Sequence, residues 1–199
     1  MKLFYSPTSP FVRKVLLCAA IRGIEGQIER VTSNPHVSPA DLLAANPLSK
    51  IPCLLTDDGE ALFDSPVICE YLDSLGDAPP LFPLHGARWT ALRLQALADG
   101  LMDAAVLARM EQQRIAEPER QAVIERQMGN IARCLAYLED HTPTEAHLDI
   151  GAVALACALG YLDFRFAALD WRSTHPRLAH WLAATAAEMP GFAETIPPA

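Results

Sequence analysis

No stretch of this sequence is apolar for long enough to cross a bilayer: the longest run, Ile150 to Leu162, falls short of the roughly 20 residues that a spanning helix needs. Positive charge is scarce too. Sixteen Lys and Arg face 24 Asp and Glu, a formal net charge of −8 divided as −4 over residues 1–84 and −4 over residues 85–199. Without a basic stripe or tail, general nucleic-acid binding and attachment to anionic membranes are excluded. Cysteines are few and follow no pairing pattern. Cys18, Cys53, Cys69, Cys134 and Cys157 make an odd number with no C-x-x-C spacing, as expected of reduced core thiols in a cytoplasmic protein and not of a disulfide framework or zinc site. Nucleotide and hydrolase signatures (G-x-G-x-x-G, a Walker loop, G-x-S-x-G) do not occur, nor do internal repeats or low-complexity tracts. The histidines His36, His85, His141, His147, His175 and His180 form no H-x-x-x-H pair, which leaves them surface or capping roles and predicts no metal. The apolar segment after Arg13-Lys14 has Pro7 and Pro10 before it and no small-residue cleavage site behind it, so it reads as a mature start and not as a leader.

What the chain does have is 199 residues, 51% of them hydrophobic and 20% charged, enough to bury one large core or two small ones. Lys2-Leu3-Phe4-Tyr5 reads as a strand, followed by a helix from Phe11 to Ile21 started by Ser9 with Pro10 at its first position and ended by Gly23. A strand over Gln27 to Val31 and a short helix over Pro39 to Ala45 come next. Cys53 to Thr56, the Asp57-Asp58-Gly59-Glu60 turn and Ala61 to Phe63 form a hairpin, and Ser65 caps a helix to about Leu75 with Pro66 at its first position. This β-α-β-α-β-β-α order is that of a thioredoxin-like α/β domain, placed at residues 1–76. A stiff linker at 77–85 follows, with Pro79, Pro80 and Pro83. Residues 86–199 read as an all-helical bundle: Leu94, Ala98, Leu101, Ala105 and Ala108 recur at helical spacing, as do Ile124, Ile131, Leu135 and Leu138. Asp149 caps the buried helix Ile150 to Leu162, and a last helix from His175-Pro176 puts Leu178, Trp181, Leu182 and Thr185 on one face.

Three loops of the first domain set polar groups or free backbone at strand ends beside helix starts, a setting that binds small anions. Thr8 and Ser9 stand at the positive end of a helix dipole, where Ser9 serves as an N-cap and where a bound thiolate would be stabilised. Pro52 precedes a strand; a cis Ile51-Pro52 bond would turn the Ile51 backbone outward to pair with an extended peptide, and a trans bond would make it an ordinary strand start. Asp64 and Ser65 offer a carboxylate and a helix N-terminus, suited either to capping or to a zwitterionic amino-acid head. Asp99 and Asp103 lie one turn apart on one helix with no Lys or Arg three or four residues away, a mildly unfavourable pairing relieved by water or by a partner group.

Ser6-Pro7-Thr8-Ser9-Pro10-Phe11-Val12-Arg13-Lys14, Asn46-Pro47-Leu48-Ser49-Lys50-Ile51-Pro52 and Phe63-Asp64-Ser65-Pro66-Val67-Ile68-Cys69-Glu70-Tyr71-Leu72, in this order and at these separations, resemble the soluble glutathione transferase family, and within it a bacterial serine-type subgroup. The likeness extends to Asp149-Ile150-Gly151-Ala152-Val153-Ala154-Leu155, where the family's acid at the third helical position is Ala152, and to His175-Pro176-Arg177-Leu178-Ala179-His180-Trp181-Leu182.

The resemblance implies a cytoplasmic homodimer with glutathione as co-substrate, which conjugates the glutathione thiol to a small hydrophobic electrophile in detoxification or stress response. It implies that Ser9 donates a hydrogen bond to the glutathione sulfur without acting as a base, with Thr8 and Tyr5 as alternative donors. Ile51, before Pro52, pairs with the cysteinyl part; Asp64 and Ser65 hold the γ-glutamyl head; Lys50 or His36 reaches the glycyl carboxylate. Asp99 or Asp103 reaches the site across the dimer, and the acceptor lies between the domains. Serine at position 9 favours conjugation over the disulfide chemistry of cysteine-bearing relatives. A glutathione-dependent peroxidase or isomerase, or a non-catalytic binding or regulatory protein on this fold, are the alternative readings.

Overall fold

A computed structural model describes residues 1–143 and 148–198; His147 lies outside them. The chain divides into two compact units, Met1–Arg88 with Met189–Ala199, and Trp89–Glu188.

The first unit is built on a four-stranded sheet in the order β2-β1-β3-β4, from β1 (Lys2–Tyr5), β2 (Glu29–Thr32), β3 (Cys53–Leu55) and β4 (Ala61–Leu62). β1 runs parallel to β2 and antiparallel to β3, which forms an antiparallel hairpin with β4. Helices α1 (Pro10–Ile21), α2 (Ala40–Ala45) and α3 (Ser65–Leu75) complete the β-α-β-α-β-β-α order of a thioredoxin-like domain. Leu3 and Phe4 are both buried although successive strand residues face opposite ways, as are Cys53 and Leu54, so both faces of the sheet are covered. Phe4 and Cys53 pack with Leu42 of α2, while α1 packs along α3.

Helix α1 has the ends its sequence predicts. Ser9 Oγ accepts from the Val12 N–H at 3.3 Å, and Pro10 fills the first position. Gly23 takes φ +69° and closes a Schellman motif, with Gly23 N–H bonded to the Ala20 carbonyl and Ile24 N–H to that of Ala19, both at 3.0 Å. Two local boundaries differ from the sequence reading. A 3-10 turn over Glu25–Gln27 shifts β2 to Glu29–Thr32. The N-cap of α3 is Asp64, with Ser65 as the first helical residue; proline is accepted at either of the first two positions, so Pro66 does not fix the cap. The segment after Met189 joins this unit. Met189 is buried, and Arg13 donates from its guanidinium to the Phe192 carbonyl at 2.9 Å.

The second unit holds the greater part of α4 (Gly86–Gln112), then α5 (Pro118–Asp140), α6 (Ile150–Arg165), the short α7 (Trp171–Thr174) and α8 (Pro176–Glu188). Every residue of α6 from Ile150 to Leu159 is buried, which makes it the centre of the bundle. Asp149 caps it, accepting from Ala152 N–H at 2.8 Å. Helix α8 buries the four residues its spacing predicts, Leu178, Trp181, Leu182 and Thr185. Its first amides are satisfied from α5: the Glu139 carboxylate accepts from Arg177 N–H at 3.0 Å and Leu178 N–H at 2.9 Å. Among the described residues no single helix is long and apolar enough to cross a membrane.

Candidate functional site

Strand direction and register bring the three candidate loops to one end of the sheet. Parallel pairing of β1 and β2 places Tyr5 beside Thr32, so the chain leaves both strands at the same end, toward Ser9 from one and His36 from the other. Antiparallel pairing sets Phe4 opposite Cys53, so Lys50, Ile51 and Pro52 enter β3 there as well. Leu54 pairs with Leu62, and the hairpin therefore returns Asp64 and Ser65 to the same end.

On the first loop, Ser9 and Thr8 are half-buried. Ser9 Oγ is an acceptor in its cap bond to Val12 N–H, which leaves its own proton to donate to a ligand at the helix N-terminus. The Thr8 and Ser6 hydroxyls lie 3.3 Å apart. Tyr5 is half-buried in the last position of β1, and its carbonyl accepts from Ser33 N–H at 2.9 Å.

The second loop is held by a residue that sequence reasoning missed. Asn46, which in the sequence follows the short helix as part of the Asn46-Pro47-Leu48-Ser49-Lys50-Ile51-Pro52 motif with no role of its own, is 1% exposed. Its side-chain amide donates to the Lys50 carbonyl at 2.9 Å and accepts from Leu48 N–H at 3.0 Å. Ser49 Oγ donates to the Pro35 carbonyl at 3.2 Å and to Ser38 Oγ at 2.9 Å, drawing the segment that carries His36 against the one that carries Lys50. Both His36 and Lys50 are exposed. The Ile51–Pro52 bond is cis, and among the described residues neither the N–H nor the C=O of Ile51 has a hydrogen-bond partner. An extended ligand backbone can take both.

At the third loop Asp64 is exposed and makes no side-chain cap bond, while Ser65 is 2% exposed in the first turn of α3. The end of the sheet thus offers two helix N-termini, one free backbone pair, one exposed carboxylate and two exposed cationic or titratable side chains, a set that suits a small zwitterionic peptide. All five cysteines are free. Burial pushes the Cys53 thiol up to about 11, and Cys18, which donates to the Cys69 carbonyl at 3.4 Å, is also raised; neither is a thiolate at neutral pH. Asp99 and Asp103 sit on α4 in the second unit, half-buried and exposed respectively, and neither is without a partner. Among the described residues no group of three or more His, Cys, Asp or Glu side chains is arranged to hold a metal.

The chain matches the family description "Glutathione S-transferase, N-terminal domain" over residues 8–75 and "Glutathione S-transferase, C-terminal domain" over residues 121–184. It is similar to the uncharacterized GST-like protein YibF of Escherichia coli K12, at 37% identity over 203 residues, covering 100% of this chain and 99% of YibF. Among solved structures it is similar to a glutathione transferase family member from Pseudomonas fluorescens Pf-5 with bound glutathione, at 42% identity and a TM-score of 0.92 over 100% of this chain and 99% of that one. A structure described as a family member from the same organism, with bound S-(propanoic acid)-glutathione, gives 41% identity and a TM-score of 0.88 over 100% of each chain.

Proposed function

The chain belongs to the glutathione transferase family, and from that premise we propose that it binds glutathione at the loop-bearing end of its sheet and joins the sulfur to a small hydrophobic electrophile. In this reading it is a serine-type member and acts as a homodimer. The observation that carries it is the state of Ser9: its oxygen is engaged as the cap of α1 while its proton is free to donate. A hydroxyl donor together with the positive end of a helix dipole favours the charged form of a thiol. Ser9 then stabilises the thiolate and takes no proton from it.

The remaining residues fit the rest of the tripeptide. The free Ile51 N–H and C=O pair with the cysteinyl backbone, and Asp64 takes the γ-glutamyl ammonium while the first turn of α3 at Ser65 takes its carboxylate. Lys50 or His36 reaches the glycyl carboxylate. The thiol proton passes to water on binding; the thiolate sulfur then attacks the electrophilic carbon, and as the carbon–sulfur bond forms that carbon's bond to its leaving group breaks, the leaving group departing to water with the bonding electron pair. That the ligand of one Pseudomonas fluorescens relative is an S-substituted glutathione supports conjugation over peroxide reduction.

Calorimetric titration of glutathione into wild type and Ser9→Ala, with the bound thiol followed by thiolate absorbance, tests the reading. Saturable binding is expected in both, with the thiol pKa about one unit higher in Ser9→Ala; Thr8→Val and Tyr5→Phe leave it unchanged. Absence of binding at millimolar glutathione would overturn the transferase reading in favour of a non-catalytic protein on this fold. Light scattering checks the dimer.

A further inference from the structure

Pro190 and Gly191 end α8 and turn the chain, Gly191 with φ +78°. The residues that follow close a compact turn. Phe192 N–H bonds to the Met189 carbonyl at 3.2 Å, Thr195 N–H to that of Gly191 at 3.1 Å and Ile196 N–H to that of Ala193 at 3.3 Å. The Thr195 hydroxyl gives its proton to the Gly191 carbonyl at 2.8 Å, so its oxygen remains an acceptor. The turn therefore presents two acceptors beside an aromatic ring, and Arg13 of α1 takes all three. Its Nη2 donates to the Phe192 carbonyl at 2.9 Å and its Nε to Thr195 Oγ1 at 3.3 Å, with the guanidinium carbon 4.3 Å from the centre of the Phe192 ring. Arg13 is 4% exposed. Farther along α1, a Cβ on Gly191 would stand 2.7 Å from Ala20 Cβ and 3.7 Å from Leu17 Cδ2, so tail backbone lies directly on the helix. Arg13, Leu17 and Ala20 form one stripe at helical spacing, and the tail covers it within a single compact unit.

Ser9 stands one turn before Arg13. The Ser9 carbonyl accepts from Arg13 N–H at 3.0 Å and the Ser9 Oγ from Val12 N–H at 3.3 Å. The other bonds of its loop, Ser9 N–H to the Ser6 carbonyl at 3.2 Å and the Ser6–Thr8 hydroxyl pair, stay inside the loop. By hydrogen bonding, the loop of residues 6–9 is thus tied, among the described residues, to the first turn of α1 alone. Backbone bonding is sparsest in the first turn of a helix, which is where opening is easiest. Helix stability does not account for Arg13, since the positive end of the dipole favours acids there and α1 has none in its first turn.

We propose that Arg13 is a positioning residue for Ser9 and that the turn at residues 189–196 is the socket that holds it. The tail fixes the first turn of α1, and with it the direction in which Ser9 offers its hydroxyl to the glutathione sulfur. This role rests on the glutathione reading of the Ser9 site.

The test uses the whole protein with Arg13→Lys, Phe192→Ala and the milder Thr195→Val, and Gly151→Ala as a variant destabilised in the other unit. Amide hydrogen exchange without ligand is expected to be about tenfold faster at Val12 and Arg13 in the three tail-contact variants. It stays unchanged at Ile68, whose N–H bonds to the Asp64 carbonyl at 3.1 Å in the first turn of α3. In glutathione titrations followed by thiolate absorbance, the Kd of these variants stays within about threefold of wild type. The pKa of the bound thiol rises by about half a unit. Phe192→Tyr, which keeps ring and carbonyl, behaves as wild type, and Gly151→Ala loses stability with neither change. A lowered thiol pKa in wild type that persists in all three variants, or the same rise in Gly151→Ala, would overturn the role of Arg13 alone. Failure of wild type to bind glutathione would overturn it together with the transferase reading.

Discussion

The Arg13 guanidinium donates to the Phe192 carbonyl at 2.9 Å and stands 4.3 Å from the centre of the same residue's ring, so one side chain in the first turns of α1 holds both backbone and ring of the tail. Its Nε donates in addition to Thr195 Oγ1 at 3.3 Å. A planar fork does this and an ammonium does not. Arg13→Lys is expected to cost about 1–2 kcal/mol and Phe192→Ala about 1–3 kcal/mol. Urea denaturation of the two single variants and the double variant should give a coupling above about 0.5 kcal/mol; additive losses would show that the contact contributes nothing.

Asn46 ties the same unit together at the candidate site. Replacing it by alanine removes two part-buried hydrogen bonds, those to the Leu48 N–H and the Lys50 carbonyl, a loss of about 1–3 kcal/mol for the pair. Because those bonds shape the entry to Ile51, Asn46→Ala should also weaken glutathione binding, raising KM more than it lowers kcat. Denaturation and glutathione titration on the same variant read the two effects separately. A stability loss with unchanged glutathione affinity would detach the loop from the ligand.

The parts of this protein that were legible in sequence are those whose physics is local. Ser9-Pro10 and Gly23 specify the ends of α1 within a few residues, and Leu178, Trp181, Leu182 and Thr185 announce the buried face of α8 by their spacing. Asp64 and Ser65 are both able to cap, so the start of α3 was legible only to within one residue. Contacts between distant segments left no periodic trace: nothing near Arg13 points to a tail some 179 residues later, and the Asn46-Pro47 pair reads as a break because its partners are loop backbone. Topology did the rest at the site, since the gathering of Ser9, His36, Lys50 and Asp64 follows from strand order, which a hydrophobic pattern does not encode.

Asp73 of α3 is a buried carboxylate with full employment. It accepts from Leu81 N–H at 2.8 Å and Phe82 N–H at 3.1 Å and faces Arg22 Nε at 3.2 Å, with the two side chains 8% and 5% exposed. Arg22 also donates to the Gly76 carbonyl, so the pair fastens the proline-rich connection to the ends of α1 and α3. Breaking a buried pair from one side costs about 3–5 kcal/mol, the loss expected for Asp73→Ala in chemical denaturation. The loss should persist at high salt, because buried charges are poorly screened.

Two helical glycines in the second unit should respond in opposite directions to alanine. A methyl at Gly151 would lie 2.7 Å from the Ala91 carbonyl oxygen and 2.9 Å from Leu94 Cβ, both on α4 and neither free to move aside. Gly151→Ala is expected to destabilise by about 1–3 kcal/mol through overpacking. At Gly100 nothing lies within 4 Å, and alanine in a helix interior gains about 0.5–1 kcal/mol over glycine. Thermal melts that moved both variants the same way would contradict this close approach of α4 and α6.

Cys53 gives the fold an alkaline limit. Its thiol is shifted from 9.0 to about 11 by burial, so the folded chain keeps a proton that the unfolded chain has already released. Stability from this group is therefore complete below about pH 9 and declines as pH rises through the window from 9 to 11. Cys53→Ala removes that dependence while leaving the raised Cys18 thiol in place, so the urea midpoint of the variant should fall less steeply across the window than that of wild type. Parallel slopes would mean that Cys53 ionises as readily in the folded chain as in the unfolded one, and that its burial does not hold the proton.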